Sequence, residues 1–429
     1  MSPVQSGQMP GGLAAGPTAE PGIPVLRWSS RAHSIPEIEI ELARIWASTK
    51  LTTEVDGREE RRVAARTSVM NLVVVARRSE IGEHAASIIS QLTGRHPSRT
   101  MILSTADPDG PAWLDAQIQA HCILPRADAP ETCAEMIYLT AGGETGHHPD
   151  AVIGPLLIHD LPVTVWWPGE PPFGSHQAQD VFSVADRVVV DGSGWSGDGL
   201  DRLRKMAELL DDPHMAVSDF ALIRQSRWRE AIASAFDMPD LLPFVRSLRR
   251  ISVTYGTHDE TGTPGGTNVV KPLYHVAWLA SRLGMRVHRP LAALPSATRA
   301  KGPARPGAHP PMSRGLGATL HSATGDVSVI VRPIHSTMPS GTTLRVELLA
   351  ERRGSELRVE VTAESETVMV HAWLDGVELL RRSFLAPRRT ELDLLAESIE
   401  AVGRDPVATD AIRMAAALAT PSGGATPAR

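Results

Sequence analysis

Cysteine is nearly absent: two residues, Cys122 and Cys133, in a chain of 429. A disulfide-dense scaffold and a cysteine-only zinc site are thereby excluded. So low a content fits a reducing compartment, where two buried thiols are the expectation, although both lie in neighbouring predicted strands. Aromatics are scarce at 4%, so core volume must come from Leu, Val, Ile, Ala and Met. No run reaches the ~18 apolar residues of a membrane-spanning helix. The first residues show neither a basic region nor an apolar stretch, so no signal peptide is expected and the chain reads as cytoplasmic. Positive charge is not in excess; the formal net charge is -6, which disfavours a broad nucleic-acid or anionic-membrane surface. The phosphate-loop pattern G-x-x-x-x-G-K-[ST], the zinc pattern H-E-x-x-H and the nucleophile elbow G-x-S-x-G are all missing.

What is present is an ordinary globular composition, 42% hydrophobic and 21% charged. Residues 1–34 read as a disordered tail, rich in Gly, Pro and Ala up to 22. Ser34 and Glu37, with Pro36 between them, form the signature of a capped helix start. Strands are predicted at 71–76, 100–103, 113–122, 133–139, 163–167 and 187–190. Helices are predicted at 80–92, 149–158 and 176–183. This alternation predicts an α/β fold over 35–295, a mixed, partly parallel sheet with flanking helices, with a division after about 168 left open. Helices are further expected at 199–211, 217–236 and 270–283. Residues 296–312 form a basic Pro/Gly-rich linker. From 313 to 422 the period changes to two, and Asp375-Gly376 marks a hairpin. An antiparallel β-meander with one solvated face and helices near 389–402 and 406–418 is expected there, an α+β domain.

Three segments could carry chemistry. Gly192, Gly194 and Gly197 satisfy G-x-G-x-x-G after a predicted strand, but Trp195 sits inside the turn. The acids ~20 residues on, Asp211 and Asp212, close a helix and not a second strand. An ordinary glycine-rich turn is the simpler reading, and no cofactor is expected. Arg95 and Arg99 flank His96 and Pro97 at a helix-to-strand junction, where two guanidiniums could clamp a phosphate or carboxylate or merely satisfy a helix end. Trp166 and Trp167 close a strand that leads into a proline-stiffened loop ending at Phe173. Period two sends one tryptophan to the core and the other outward. The pair His147-His148 reads as a solvated loop, with no metal site expected.

The series Asn71-Leu72-Val73-Val74, His96-Pro97-Ser98-Arg99, Asp160-Leu161-Pro162, Trp166-Trp167-Pro168-Gly169 and Asp186-Arg187-Val188-Val189-Val190-Asp191 resembles the glucose-6-phosphate dehydrogenase assembly protein family (OpcA). Order and spacing agree over roughly residues 36–285, and the later Trp228-Arg229 agrees too. The resemblance implies a non-catalytic accessory or allosteric protein that binds glucose-6-phosphate dehydrogenase and favours its active oligomer. The physical basis would be linkage: a partner that binds the active state better raises its population. On that reading Trp167 and Phe173 are apolar anchors, Arg95 and Arg99 pair with partner acids, Asp160 fixes the loop before the strand, and Trp228 and Arg229 extend the patch. Two alternatives stay open: an enzyme or sensor binding a nucleotide or sugar phosphate, and a peptidoglycan-binding module.

Overall fold

The computed structural model describes residues 25–47, 65–66, 68–123, 132–258, 266–294, 315–364 and 366–421. The expected linker 296–312 and the tail up to residue 24 lie outside them. Two units are distinguished, one spanning Met1–Val189 with Glu391–Glu400, the other Val190–Thr390 with Ala401–Arg429.

The first unit contains β1 (Val25–Ala32), α1 (Ile35–Ala47), β2 (Ala65–Arg66), β3 (Met70–Ala76), α2 (Ser79–Leu92), β4 (Ser98–Ala106), β5 (Trp113–Ile123), β6 (Thr132–Gly142), α3 (Gly143–His147), α4 (Pro149–Ile153), β7 (Val163–Trp167) and α5 (His176–Ser183). Then β8 (Arg187–Val190) carries the chain across the boundary. The strand order is β1-β5-β6-β4-β3-β7-β8, with β2 beside β6. β3 pairs in parallel with β4 and β7, and β4 with β6. β5 and β1 extend the sheet antiparallel. Every residue of β7 is buried, Thr164 among them, as in a strand covered on both faces.

α1 starts as its sequence dictates: Glu37 N–H donates to Ser34 Oγ at 3.4 Å, and His33 N–H donates to the Glu37 carboxylate at 2.8 Å. Two expectations are corrected in this region. Residues 25–32, placed in the tail, form β1, whose register against β5 buries Trp28 and Ala32; its mixed composition hid the strand. Cys122 and Cys133, expected as thiols, are disulfide-bonded. The antiparallel register of β5 and β6 sets them directly opposite, with Cα atoms 4.0 Å apart.

The second unit contains α6 (Leu200–Glu208), β9 (Ala216–Asp219), α7 (Phe220–Ile223), α8 (Ser226–Ala235), β10 (Leu248–Thr257), α9 (Val270–Arg282), β11 (Arg286–Ala293), β12 (Leu316–Ser322), β13 (Gly325–His335), β14 (Thr343–Arg352), β15 (Ser355–Glu364), β16 (Thr367–Leu374) and β17 (Val377–Leu385). α10 (Glu391–Glu400) belongs to the first unit, and α11 (Pro406–Ala419) closes the second. The helix expected over 217–236 is instead a strand and two short helices. Asp219 ends the strand by accepting the N–H of Ala221, which caps a new helix and does not continue an old one. The second sheet runs β11-β12-β13-β10-β14-β15-β16-β17. β10 enters from upstream of the linker and pairs in parallel with β13, inside an otherwise antiparallel meander. Val346 and Leu348, Val359 and Val361, and Val368 and Val370 line its buried face. α8 packs on β15–β17 and α9 on β10, β13 and β14. Among the described residues no helix is long and apolar enough to cross a membrane.

Candidate functional site

β3 is a central parallel strand, flanked by β4 and β7. From it the chain builds outward through β4 and β6, then returns to add β7 on the other side. The order reverses between β3 and β7, and ligands of such sheets bind outside the carboxyl ends at this switch point. The turn leaving β3 therefore has the position of a dinucleotide fingerprint. Its sequence is Ala76-Arg77-Arg78-Ser79-Glu80-Ile81-Gly82. Gly82 occupies the place of the third glycine, and a Cβ there would stand 3.0 Å from Ile102 Cγ2 and 3.7 Å from Ala76 Cβ. It serves close helix–strand packing. Arg77 and Ser79 stand where the first two glycines would admit a pyrophosphate to the backbone, and Glu80 puts an acid in the first turn of α2. Asp107, at the end of β4, adopts φ +44° and accepts the N–H groups of Gly110 and Gly143 through its carbonyl. Asp107 stands where a ribose-binding acid would, but Arg77, Ser79 and Glu80 do not form the glycine cradle that a pyrophosphate needs.

The glycines at 192–197 are engaged differently from their motif. Gly192–Gly194 is a 3-10 turn capped by Asp191. Gly192 N–H donates to Asp219 Oδ1 at 2.8 Å, and a Cβ at Gly192 would meet Asp219 Oδ2 at 2.6 Å. Asp219 is 1% exposed. Its Oδ1 also accepts Ala221 N–H at 2.8 Å, and its Oδ2 accepts the Tyr274 hydroxyl at 2.7 Å. Burial, then the nearby charge of Asp191, pushes its carboxyl up to about 6. Asp191 pairs with Arg224 at 2.7 Å. Burial, then Arg224, pulls the Lys271 ammonium below its ordinary value. Asn268 donates to the carbonyls of Gly192 and Trp195. Both oxygens of Asp219 are thus taken by the protein's own donors. The centre clasps the turn to β9 and α9, and Asp219 is not a free base.

The expected contact residues separate into three situations. Arg99 is buried: its Nε donates to Glu135 Oε2 at 2.6 Å and its Nη1 to the carbonyl of Leu156 at 2.8 Å. Glu135 is fully buried and also accepts the Trp46 indole N–H. Arg99 therefore neutralises a core carboxylate and is not free to clamp an anion. Trp166, Trp167 and Phe173 are 0%, 4% and 8% exposed, which corrects the outward anchor. Trp167 and Phe173 both lie against Phe182 of α5, at 5.7 and 5.8 Å. Opposite faces of a strand both lead inward when the sheet is covered on both sides. Arg95 and His96 remain nearer the surface and share Glu400, His96 at 3.0 Å; the hydrogen bond from His96, then burial and the charge of Arg95, shift that carboxyl, with a net lowering.

Asp160 is an exposed turn residue at φ +65°. The loop before β7 is held instead by Asn71, whose Oδ1 accepts Ile158 N–H at 2.8 Å and whose amide donates to the carbonyls of Ile158 and Leu161. Trp228 lies 5.1 Å from the His275 ring, and Arg229 Nη1 donates to the carbonyl of Leu222 at 2.8 Å. His275 is fully buried, with no hydrogen-bond partner on either nitrogen among the described residues. Burial, reinforced by Arg229, holds it neutral with a value of about 3. His147 is bound by Gln177 and the Pro108 carbonyl, while His148 reaches Glu144, four residues earlier in the chain, at 3.1 Å. His148, Asp150 and Asp180 offer ligand atoms within 4.8 Å of one another, the one such group among the described residues. Asn71, Glu135, Asp219 and His275 each break an apolar run with a polar residue, and that interruption was their only signal.

Residues 89–208 match the glucose-6-phosphate dehydrogenase subunit N-terminal domain, and residues 215–412 the corresponding C-terminal domain. The chain is 30% identical over 200 residues to the OxPP cycle protein OpcA of Synechocystis, covering 46% of this chain and 39% of that one. It is 27% identical over 213 residues to that of Nostoc punctiforme, covering 47% and 43%. Each match spans less than half of the relative's own length. Among solved structures, the transcriptional regulator Gal80p of Kluyveromyces lactis aligns with a TM-score of 0.40 and 9% identity, over 78% of this chain and 79% of that one. Matched through both domains, the chain belongs to the OpcA family of glucose-6-phosphate dehydrogenase subunits.

Proposed function

We propose that this chain is a non-catalytic accessory protein of the cytoplasm that binds glucose-6-phosphate dehydrogenase and promotes its active oligomeric state, supporting the oxidative pentose phosphate pathway. One observation carries the non-catalytic part. At the switch point of a sheet with dinucleotide-binding order, Arg77 and Ser79 replace the glycines a pyrophosphate needs, while the packing glycine Gly82 stays. Family membership supports the partner. Activation follows if the chain binds the active oligomer more tightly than the inactive one, by a factor equal to the shift it causes.

The test mixes purified chain with the dehydrogenase from the same cell and records rate and oligomer size with and without it. A higher rate accompanied by a shift in assembly is the expected result. An unaltered dehydrogenase would refute the reading, as would turnover of a metabolite by the chain alone. Among the residues expected from sequence to touch the partner, Arg95 keeps an accessible side chain, 66% exposed, and Arg95→Ala is the variant with which to look for weakened co-purification.

A further inference from the structure

The face of the second sheet turned away from α8 and α9 has no helix packed on it among the described residues of its unit. Register arranges its side chains in rows. Arg332, Thr254 and Arg345 stand opposite one another across β13, β10 and β14. Two residues along, Ser252, Glu347, Glu360 and His371 cross β10, β14, β15 and β16. The next row holds Arg250, Leu349, Arg358 and Trp373. Two like-charged acids thus lie between two cationic rows.

Their own acids do not satisfy these cations. Arg250 lies 3.7 Å from Glu347, and Arg345 and Arg358 share Glu360 at 3.7 and 3.8 Å, all longer than a hydrogen bond. Arg332 is exposed and has no partner among the described residues. Arg250 Nε is enclosed and has no hydrogen-bond partner. A cavity of about 190 Å³ opens between Arg250, Arg332 and Arg345, with Ser252, Thr254 and the carboxylate-bearing Glu347 also lining it. That volume suits a carboxylate side chain better than a metabolite, whose pockets are typically ~300 Å³ or more. In the row of Arg250, three strands across on β16, Trp373 carries Arg358 over its ring at 4.3 Å and stacks on His371 at 5.4 Å. Arginine and tryptophan are the residues on which binding energy concentrates.

We propose that this face is the surface on which the chain receives an acidic patch of its protein partner, one partner carboxylate entering the arginine cavity and Trp373 acting as the apolar anchor. The proposal rests on the reading that the partner is the dehydrogenase. With β17 added, the face reaches across six strands, from β13 to β17, at five spacings of ~4.8 Å, or roughly 24 Å. That is broad enough for much of the ~800 Å² per side of a standard interface. At the cavity three arginines face one carboxylate, Glu347, whereas the row beyond Arg358 is acidic, Glu351 opposite Glu356; the cavity is the corner of this face whose charge favours an acidic group.

The experiment uses full-length chain and the double variant R332E/R345E. Both guanidiniums are exposed on a solvated face, so unchanged circular dichroism and melting temperature are expected. Affinity for the dehydrogenase is measured by calorimetry at two salt concentrations, and each protein's own mass by light scattering. Wild type should bind more weakly in high salt, and the variant at least ~10-fold more weakly at low salt. Equal affinity of variant and wild type overturns the proposal and leaves the accessory reading intact. Absence of wild-type binding overturns that reading itself. A wild-type dimer that the double variant abolishes assigns the face to a second copy and also overturns the proposal.

Discussion

Replacing Asp219 by Asn should stabilise the second unit at neutral pH, although it removes a hydrogen-bonded charge. Asp219 is enclosed, faces Asp191, Arg224, Lys271 and Tyr274, and titrates at about 6 against an ordinary 3.8. Its folded form holds a proton that the unfolded chain releases, so stability is fully present below about pH 4 and is lost as pH rises through about 6. A shift of roughly two units corresponds to ~3 kcal/mol. Asn reproduces the protonated acid: its Oδ1 can keep the N–H groups of Gly192 and Ala221, and its amide can donate to Tyr274 Oη. D219N should therefore match wild type near pH 4 and exceed it by ~3 kcal/mol at pH 7.5. His275 acts in the opposite sense. Burial lowers it from 6.5 to about 3, so its contribution is present above 6.5 and is lost as pH falls. Between about pH 4 and 6 the two slopes cancel in the wild type. In D219N the histidine's slope, ~1.4 kcal/mol per pH unit, stands alone. Urea unfolding followed by circular dichroism at pH 4 to 8 measures both proteins. A difference between them that stays flat across this range would refute the raised carboxyl.

Arg99→Ala should cost ~3–5 kcal/mol in urea unfolding, because Glu135 is left as a fully buried carboxylate without its cation; R99M/E135Q should recover most of that loss. Trp167→Ala should lower stability by ~3–5 kcal/mol through the cavity it leaves, yet should still bind the dehydrogenase well below its melting temperature, since the ring is core. Cys122→Ala with Cys133→Ala should cost ~2–3 kcal/mol, the cross-link closing a loop of sequence separation 11. With both residues buried, alkylation after addition of reductant should be slow until the chain unfolds, as mass spectrometry can follow. Gly82→Ala gains ~1 kcal/mol of helix propensity but forces a methyl to 3.0 Å from Ile102 Cγ2; overpacking of ~1–3 kcal/mol should prevail and lower the melting temperature.

The order of elements was legible because local chemistry fixes it. Ser34 and Glu37 capped α1, the apolar runs gave β3 and β7, and alternation gave the hairpins from β14 to β17. What failed to show required knowledge of which strands are neighbours. β10 precedes the linker in sequence yet sits inside the meander, paired in parallel with β13. The disulfide depends on the register of β5 against β6 and not on the cysteine count. The tryptophans were misjudged through a missing layer: period two predicts opposite faces, and only the covering on both sides of β7 turns both faces inward. Arg99 was misjudged through a missing partner, since Glu135 lies in a different strand, two residues beyond Cys133.

A fold can lose a cofactor cradle without losing the strand–helix unit that held it, because the glycines of such a turn do separable jobs. Two of them admit a ligand, and their replacement removes nothing from the core. Arg77 and Ser79 are exposed at those positions, and β3 and α2 form regardless. The third keeps α2 against the sheet, and here the Cβ distance of 3.0 Å to Ile102 leaves glycine in place. Core packing favours glycine at Gly82 whether or not a ligand is ever bound, whereas nothing in the core calls for glycine at the exposed Arg77 and Ser79. The same separation operates at Gly192, where the close neighbour is the chain's own Asp219 carboxylate and not a phosphate. Glycine spacing in a sequence therefore reports close approach to something, and only the identity of the approaching group decides whether that something is a cofactor.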